Sequence, residues 1–426
     1  MVLNLDIESG FFVAMTLYYA AMRLMSLKKA SYPPPDLSRF GCVLIVPCHN
    51  EERVITSTLE NLTTLAAQPH IVVVDDGSTD RTGELADAFA SDRVHVYRRV
   101  APNAAQGKGE ALNAAYAWVA AQLADWFPGI NDAQIVIGVV DADVTMTNAV
   151  LEQALSVLDH TDAGAVQAPV SIQGAEDNIL LMMQDIEFMT FSYLMQQARH
   201  WIGSVGMGGN GQFARYSAMK LLGSRPWSRA LTEDADLGMQ FIAHNIRLAF
   251  TGGDPVVQHG LTSYRRLIKQ RTRWAQGHYQ IWKRMPEVWR SRRPLITKLD
   301  STIYMLLITA PMVLVVSYLI DIAAGFNLVQ VTNPWLQSLA AFGSWVPPVV
   351  QITVSFAIQI MLLSSYPRVS GKKIAFWEWP AIHILFALYS EVIWIPASLN
   401  ALWRMLTRRS NWVKTERETV SVSLPS

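Results

Sequence analysis

The stretch HIVVVDDGSTD, residues 70–80, joins an apolar run to two adjacent carboxylates and a turn. The continuous apolar run Val72–Val74 is typical of a strand buried on both faces of a parallel sheet. Asp75 and Asp76 follow it directly, and Gly77 gives the next turn conformational freedom. The polar residues after Gly77 can cap a helix. The stretch therefore predicts a strand whose end carries either ligand-binding acids or ordinary turn residues.

The flanking sequence continues the alternation of strands and helices. Further strands are predicted at CVLIVPCHNEE (42–52), RVHVYRR (93–99) and AQIVIGVVDAD (133–143). Helical spacing appears in RVITSTLENLTTLAA (53–67), RTGELADAFA (81–90) and KGEALNAAYAWVAAQLA (108–124). This alternation predicts an α/β fold with a mostly parallel sheet. Ligands bind beyond the carboxyl ends of such strands, where two acidic loops are expected to meet.

The second acidic loop contains Asp141 and Asp143, two residues apart. In an extended segment such side chains share a face and repel each other unless a cation lies between them. Mg²⁺ uses one or two carboxylates together with substrate phosphates. The pair therefore indicates either a metal site on a diphosphate or a solvated turn.

A lysine lies at a predicted helix start. Lys108 stands between Gly107 and Gly109 in AAQGKGEALN. Glycines allow close approach of the backbone to a phosphate, and helix starts favour anions, although this is not a P-loop.

A basic and aromatic helix is predicted at QRTRWAQGHYQIWKR, residues 270–284. Its helical spacing places Gln270, Arg273 and Trp274 on one face. Arginine suits phosphate oxygens, and tryptophan suits the apolar face of a sugar. The alternative is an amphipathic helix at a membrane surface.

Three carboxylates crowd into ALTEDADLG, residues 230–238: Glu233, Asp234 and Asp236. Taken alone, this segment is interpreted as a solvated acidic turn. One of its members becomes a candidate catalytic group only in the context of the whole chain.

Composition restricts the class of protein. The chain has 426 residues, of which 51% are hydrophobic, and its formal net charge is zero. Nucleic acid is therefore not an expected partner. The two cysteines, Cys42 and Cys48, lie on one predicted strand and are not expected to bridge each other, which favours a reducing compartment.

Apolar stretches near spanning length occur at both ends of the chain. They are Ile7–Leu27, Ile303–Ala324, Trp345–Leu363 and Trp377–Leu402. Residues 176–201 are interpreted as an interfacial amphipathic helix. Basic residues after the first and last stretches predict cytoplasmic flanks, yet four spans would place the termini on the same side, so the topology stays open.

The predicted division of the chain has six parts. They are an anchor (1–30), a linker (31–39), a catalytic domain (40–260), interfacial helices (261–298), a transmembrane region (299–405) and a tail (406–426).

The order of the motifs resembles the membrane-embedded family-2 glycosyltransferases. The motifs are PCHNEE, DDGSTD, GKGEALN, DAD, GNGQF, TEDADLG and QRTRW. The resemblance is greatest to the branch of cellulose, chitin and hyaluronan synthases and Nod-factor chitooligosaccharide synthases. It implies a GT-A fold, which is Rossmann-like, with a cytosolic catalytic domain and transmembrane helices in a multi-pass protein of the cell membrane.

The resemblance also implies roles for individual residues. Asp234 would be the general base. The nucleotide sugar would be bound by Asp75, Asp76, Lys108, Asp141, Gln270 and Arg273. The acceptor would be bound by Gly209, Asn210, Gly211, Gln212 and Trp274. Asp141 and Asp143 would hold Mg²⁺ or Mn²⁺, and Asp236 would be an acid at a helix N-terminus.

Three functions compete. The first is inverting transfer from a UDP-sugar, either glucose or N-acetylglucosamine, to a growing polysaccharide that the enzyme also translocates across the lipid bilayer. The second transfers one or a few sugars to a lipid or short glycan acceptor. The third, a transporter or channel with a cytosolic binding domain, leaves the ordered motifs unexplained.

Overall fold

The computed structural model describes residues 7–309 and 348–407. The predicted span Ile303–Ala324 is described only as far as residue 309, and Trp345–Leu363 only from residue 348. The remainder of both stretches lies outside the described residues, as does the tail from residue 408.

The described residues form a central seven-stranded sheet and a smaller three-stranded sheet. The strands are β1 (Gly41–Cys48), β2 (His70–Asp75), β3 (Val94–Arg98), β4 (Ile135–Val139), β5 (Val144–Thr145), β6 (Ala163–Gln167), β7 (Val170–Gln173), β8 (Gln212–Arg215), β9 (Arg247–Phe250) and β10 (Val256–His259). The central order is β3-β2-β1-β4-β8-β6-β9, and the smaller order is β5-β10-β7. Strands β3, β2, β1 and β4 are parallel, whereas β8 runs antiparallel to β4 and β6. The sheet is therefore mixed, with a parallel half where the sequence predicted one.

Helices cover the sheet and form a separate layer towards the C-terminus. They are α1 (Ile7–Met25), α2 (Ile55–Thr63), α3 (Thr82–Asp87), α4 (Lys108–Trp126), α5 (Asn148–His160), α6 (Ile179–Ile186), α7 (Tyr193–Ile202), α8 (Tyr216–Leu221), α9 (Glu233–Ala243), α10 (Tyr264–Ile281), α11 (Met285–Arg290), α12 (295–309), α13 (Pro348–Leu363), α14 (Tyr366–Ser370) and α15 (Trp379–Leu406). A π-helical segment, Glu187–Ser192, joins α6 to α7.

The apolar strands explain why the parallel half forms. Alternate side chains of β1 lie on opposite faces: Val43 and Ile45 join one buried cluster, Leu44 and Val46 the other. Both faces are covered, as expected for parallel strands with continuous apolar sequence. Cys42 and Cys48 are buried and form no disulfide with each other, as predicted.

Parallel pairing places the two acidic loops at one edge of the sheet. The register pairs Cys48 with Asp75, and β4 runs parallel on the other side of β1. The loops after β2 and β4 therefore emerge at the same edge, where the cavity described below opens.

The segment predicted as one interfacial helix, residues 176–201, is α6, the π-helical segment and most of α7. Leu180, Met183, Ile186 and Met189 are buried in a cluster that includes residues of α10, α14 and α15. These four apolar side chains are thus covered by other helices of the same chain.

Among residues 7–309 and 348–407, one helical stretch is long and apolar enough to cross a bilayer, Phe376–Leu406. The predicted anchor is the helix α1, which packs partly into the protein. Tyr18 and Met22 of α1 are buried, and the Tyr18 hydroxyl donates to Asp300 on α12 at 2.9 Å.

Candidate active site

A cavity of about 500 Å³ opens at the carboxyl edge of the parallel strands. Nine of the predicted site residues line it: Asp76, Lys108, Asp141, Gly209, Asn210, Asp234, Gln270, Arg273 and Trp274. Four others do not: Asp75, Asp143, Gly211 and Gln212. Strands, loops and a distant helix thus contribute to one site, as the order of the motifs predicted.

The two acids at the end of β2 have different surroundings. The Asp75 carboxylate accepts a hydrogen bond from the Ser78 amide at 2.9 Å and so fastens the turn. Asp76 lines the cavity, where it pairs with Arg99 and accepts from the Ala105 amide at 3.1 Å. Burial raises the pKa of Asp76, and the Arg99 guanidinium opposes that effect. Arg99 lies just beyond β3, and no sequence signal assigned it to the site.

The second acidic loop is not extended as expected. Ala142 and Asp143 form a turn between β4 and β5, so Asp141 and Asp143 do not both face the cavity. Asp141 accepts from the Lys108 ammonium at 2.7 Å, while Asp143 is 3% exposed. The expectation that both carboxylates share one face is therefore wrong, because the chain turns between them.

Lys108 lies in the first turn of α4 and bridges several parts of the site. Besides Asp141, its ammonium contacts the Gly209 carbonyl at 3.1 Å and lies 3.8 Å from Glu233. Burial alone would lower the pKa of Lys108, but the surrounding carboxylates outweigh burial and raise it. The lysine therefore stays charged, as a contact to a diphosphate requires.

The glycine-rich loop before β8 lies next to the carboxylate of Asp234, the candidate base. Gln167 holds this loop by donating to the Asn210 carbonyl at 2.7 Å and accepting from the Gly208 amide at 2.8 Å. A Cβ on Gly209 would lie 3.0 Å from an Asp234 oxygen, so a side chain there would crowd the carboxylate. Gly211 and Gln212 instead lead into the buried strand β8.

The three crowded carboxylates have three different environments. Asp234 lies in the first turn of α9, and one of its oxygens accepts from the Ala235 amide at 2.8 Å. Burial raises the pKa of Asp234. Glu233 also lines the cavity, and burial together with Asp234 raises its pKa. Asp236 also lies in the first turn of α9, but it is fully buried and paired with Arg284 at 3.0 Å. Its position there serves an ion pair in addition to the helix dipole.

The predicted face of α10 is confirmed. Gln270, Arg273 and Trp274 all line the cavity, and Arg273 donates to the Leu231 carbonyl at 3.3 Å. Gly277 on the same helix allows close approach to the segment before α9, because a Cβ there would lie 2.6 Å from the Thr232 amide nitrogen. Helix α10 thus forms a wall of the cavity, although it is far from the strand loops along the chain.

A buried ion pair supports that face of α10. The Arg271 side chain is 1% exposed and donates to Glu187 of the π-helical segment at 2.7 Å. It also donates to the Gln270 side chain at 2.6 Å and stacks 4.0 Å from the centre of the Trp274 ring. Tyr389 of α15 donates to Glu187 at 2.6 Å. Sequence reasoning missed this cluster, since it gave Arg271 no role of its own.

Two family models match the chain. The model described as glycosyl transferase family 2 matches residues 43–222, and that described as glycosyl transferase family group 2 matches residues 136–395, more than half of the chain.

Curated relatives match over different lengths. A beta-monoglucosyldiacylglycerol synthase of Synechocystis sp. is 30% identical over 63% of this chain and 55% of that protein. A poly-beta-1,6-N-acetyl-D-glucosamine synthase of Staphylococcus epidermidis is 22% identical over 89% of this chain and 88% of that protein. The chain spans about half the length of the first curated relatives that it matches, 48% to 59%.

A solved structure shows a similar fold. The mannosyltransferase PcManGT of Pyrobaculum calidifontis, solved with GDP-Man and Mn²⁺, superposes over 93% of this chain and 99% of that chain. Its TM-score is 0.50 and its identity is 17%, a likeness that concerns the fold alone. The fold is thus a mixed α/β glycosyltransferase fold of the GT-A type. By its sequence, this chain belongs to glycosyl transferase family group 2.

Proposed function

We propose that the protein is an inverting glycosyltransferase that moves a sugar from a UDP-sugar to an acceptor hydroxyl, with Asp234 as general base. One observation carries the proposal: the Asp234 carboxylate faces the same cavity as Asp76, Lys108 and Asp141. Acid and base chemistry and diphosphate binding thus share one enclosed volume. A base of raised pKa also suits proton transfer near neutral pH.

The reaction proceeds in one displacement. The acceptor oxygen bonds to the anomeric carbon of the sugar, while the bond from that carbon to the diphosphate oxygen breaks. The electron pair of the broken bond leaves with UDP, and the acceptor proton passes to Asp234. Lys108 and Arg273 offset the negative charge that develops on the diphosphate. Attack opposite the leaving group inverts the anomeric configuration.

The residues present fit a divalent cation only in partnership with the donor. Asp141 faces the cavity and already contacts a cationic group, the Lys108 ammonium. Within residues 7–309 and 348–407, no three His, Cys, Asp or Glu side chains are grouped to hold a metal. Mg²⁺ or Mn²⁺ would therefore be held by Asp141 and by phosphate oxygens, while Asp143, two residues further along the chain, does not line the cavity. Such an ion supplies charge neutralisation to the leaving diphosphate.

The choice of donor rests on the ordered motifs and on the names of relatives. The relatives named above are a glucosyl-lipid synthase and an N-acetylglucosamine polymer synthase, which supports UDP-glucose or UDP-N-acetylglucosamine. The mannosyltransferase of similar fold was solved with GDP-Man, so the fold alone does not determine the nucleobase of the donor. Asp76, held by Arg99, is the proposed contact to uridine.

Two acceptors have support. The polymer synthase matches nearly the whole chain, and Trp274 and Trp394 line the cavity, which favours a growing polysaccharide that the protein also translocates. The glucosyldiacylglycerol synthases have higher identity over a shorter region, which favours transfer of a single sugar to a lipid.

We also propose a membrane location, with the division of the chain predicted above. Exposed apolar side chains recur along one side of α15: Ile384, Leu388, Val392 and Ile395. Exposed tryptophans lie near its two ends: Trp377, just before the helix, is 80% exposed, and Trp403, in its last turn, is 62% exposed. At 1.5 Å per residue, these two are roughly 39 Å apart along a helix, close to the thickness of a bilayer with its headgroups. Further spans in a multi-pass arrangement belong to the same proposal.

The test is UDP release by the purified full-length chain in detergent, with UDP-glucose, UDP-N-acetylglucosamine and GDP-mannose compared in parallel. We expect UDP release from one UDP-sugar, a product of inverted anomeric configuration by NMR, and turnover that is lower by about 10²–10⁴-fold in Asp234→Asn. Turnover with GDP-mannose alone, or retention of configuration, would contradict the proposal.

A further inference from the structure

The cavity continues beyond the catalytic groups into a region that no motif assigned. Four helices outside the strand loops contribute to it: α1, α7, α12 and α15. We call this region the apolar arm, and define it by Tyr19, Met195, Tyr304, Leu307, Ile308 and Trp394. These residues share an apolar or aromatic side chain, in contrast to the charged groups nearer the strands.

The apolar arm begins at the candidate base. Tyr304 and Asp234 line the same cavity. The Tyr304 hydroxyl also lies near Gly206, since a Cβ built there would be 3.7 Å from it. Gln196 holds the Gly206 backbone at both ends, accepting from its amide at 2.9 Å and donating to its carbonyl at 2.7 Å. The junction between base and arm is thus a fixed structure.

The charged group beside the arm is already satisfied. The Arg199 guanidinium stacks 4.0 Å from the centre of the Tyr304 ring. It is paired with Asp300 at 3.1 Å, and the two side chains are 3% and 1% exposed. Arg199 therefore orients Tyr304 and has little capacity left to bind an anionic ligand. Aromatic rings such as Trp394 can stack on the apolar face of a sugar, but the arm offers few polar partners to sugar hydroxyl groups, whereas it buries hydrocarbon favourably.

The arm also reaches the helix that is best suited to contact lipid. Trp394, which lines the cavity, lies on α15 between Val392 and Ile395, both exposed. Tyr389 on the same helix is fixed to the π-helical segment through Glu187. One helix therefore carries both a wall of the cavity and an exposed apolar surface, so hydrocarbon chains in a bilayer have a short route to the arm.

We propose that the apolar arm binds the hydrocarbon part of a lipid acceptor and presents the lipid's free hydroxyl to Asp234. This inference rests on the proposed function and selects one of its two acceptors. A growing polysaccharide in the arm is the competing outcome of the test.

The first experiment measures transfer by the full-length chain in mixed micelles with its UDP-sugar. The acceptors are 1,2-dioleoylglycerol, 1,2-dihexanoylglycerol and chitotetraose, with a sample lacking acceptor. We expect one glycolipid that partitions into organic solvent, and at least tenfold higher kcat/KM for the dioleoyl than for the dihexanoyl acceptor. A water-soluble ladder that forms equally without lipid would overturn the inference while leaving the proposed function intact. Absence of UDP release in every sample would instead overturn the proposed function.

The second experiment compares two substitutions on α12. Leu307→Trp narrows the arm, whereas Leu306→Trp places the same side chain at a position that is 42% exposed. We expect Leu307→Trp to raise KM for dioleoylglycerol about tenfold relative to Leu306→Trp, and to change KM for dihexanoylglycerol less. Equal effects of the two variants on both acceptors would overturn the assignment of the arm.

A third measurement does not depend on the folding of a variant. A dioleoylglycerol analogue with a photoreactive group in its acyl chain should label peptides of α12 and α15 in the wild-type chain. Unlabelled dioleoylglycerol should compete with this labelling. Labelling confined to other segments, or labelling that dioleoylglycerol does not reduce, would contradict the inference.

Discussion

The two halves of the cavity are built on different principles. The strand half carries charged groups on loops at the carboxyl edge of the sheet: Asp76, Asp141 and, at the start of α4, Lys108. The helix half, contributed by α1, α7, α12 and α15, presents mainly apolar side chains such as Leu307 and Trp394. Asp234 and the face of α10 lie where both halves contribute.

The difference indicates which part of the site needs charged groups in set positions. Binding and cleaving a nucleotide diphosphate requires charges in set positions, so the strand half is held by short hydrogen bonds and ion pairs. An acceptor need only be excluded from water and aimed at the base, and apolar walls achieve that without individual directed contacts. Damage to the strand half should therefore affect every acceptor, and damage to the helix half should change the choice among acceptors.

Removal of divalent metal should have the largest effect on the transfer rate, and this effect should arise in the strand half. With EDTA we expect loss of about 10³-fold or more in rate, since neutralising the diphosphate contributes several kcal/mol. Since the described residues group no three ligands, Mn²⁺ should bind tightly only in the presence of UDP. Electron paramagnetic resonance of Mn²⁺ with and without UDP, for wild type and Asp141→Asn, measures this directly. Full activity in EDTA would remove the metal from the mechanism.

Asp234→Asn should lower kcat by about 10²–10⁴-fold for every acceptor, because a general base is lost. UDP affinity should change little, since the amide has nearly the same shape as the carboxylate. Isothermal titration with UDP and single-turnover kinetics separate the two effects.

Glu233→Gln is the matched control, as its side chain is adjacent, buried and within 3.8 Å of Lys108. A larger rate loss in Glu233→Gln than in Asp234→Asn would move the role of base to the neighbouring residue.

Arg271→Met tests the link between α10 and the helix half. It leaves Glu187, whose side chain is 17% exposed, without its ion-pair partner, and the cost should stay below the roughly 3–5 kcal/mol typical of a fully buried pair. The melting temperature in detergent should fall, and Trp274 should lose its stacked partner. Arg273 lies two residues further along α10 and lines the cavity. Arg273→Met should therefore reduce activity with a smaller effect on stability. Partial recovery in Arg271→Met combined with Glu187→Gln would identify the uncompensated charge as the cause.

The smallest expected effect is on the pH dependence. Asp234 must be ionised to accept a proton, and burial raises its pKa, so kcat/KM should fall as pH drops through a value above the ordinary aspartate range of about 3.9. The fall belongs to the coupled Glu233–Asp234 pair. If kcat/KM instead falls at the ordinary aspartate pKa, Asp234 is not buried in the working enzyme.

Sequence reasoning predicted the strand half well for a physical reason. Parallel strands must end at a common edge, so acids after β2 and β4 converge whatever the rest of the fold does. Helical spacing likewise placed Gln270, Arg273 and Trp274 on one face. It could not say which member of each acidic pair faces the cavity. Neighbours on a strand point to opposite sides, and the turn at Ala142 breaks the expected alternation.

The helix half was beyond sequence reasoning. Apolar residues on α7 and α12 look alike whether they face a core, a bilayer or a cavity, so Met195 and Leu307 gave no signal. The segment 176–201 had the amphipathic spacing of an interfacial helix, yet its apolar face is covered by α10, α14 and α15. The role of Arg271 depends on Glu187 and Tyr389, which lie 84 and 118 residues away.

The sequence by itself determined the parallel half of the α/β sheet, the convergence of its acidic loops and the family to which the chain belongs. Those features follow from local patterns, namely continuous apolar runs, strand ends and helical spacing, that any fold of this chain must respect. Only the tertiary structure decided that Asp76 and Asp141 face the cavity, that Arg271 is buried and that an apolar arm adjoins Asp234. Each of these depends on which distant helices pack together, and long-range packing leaves no periodic trace in the sequence.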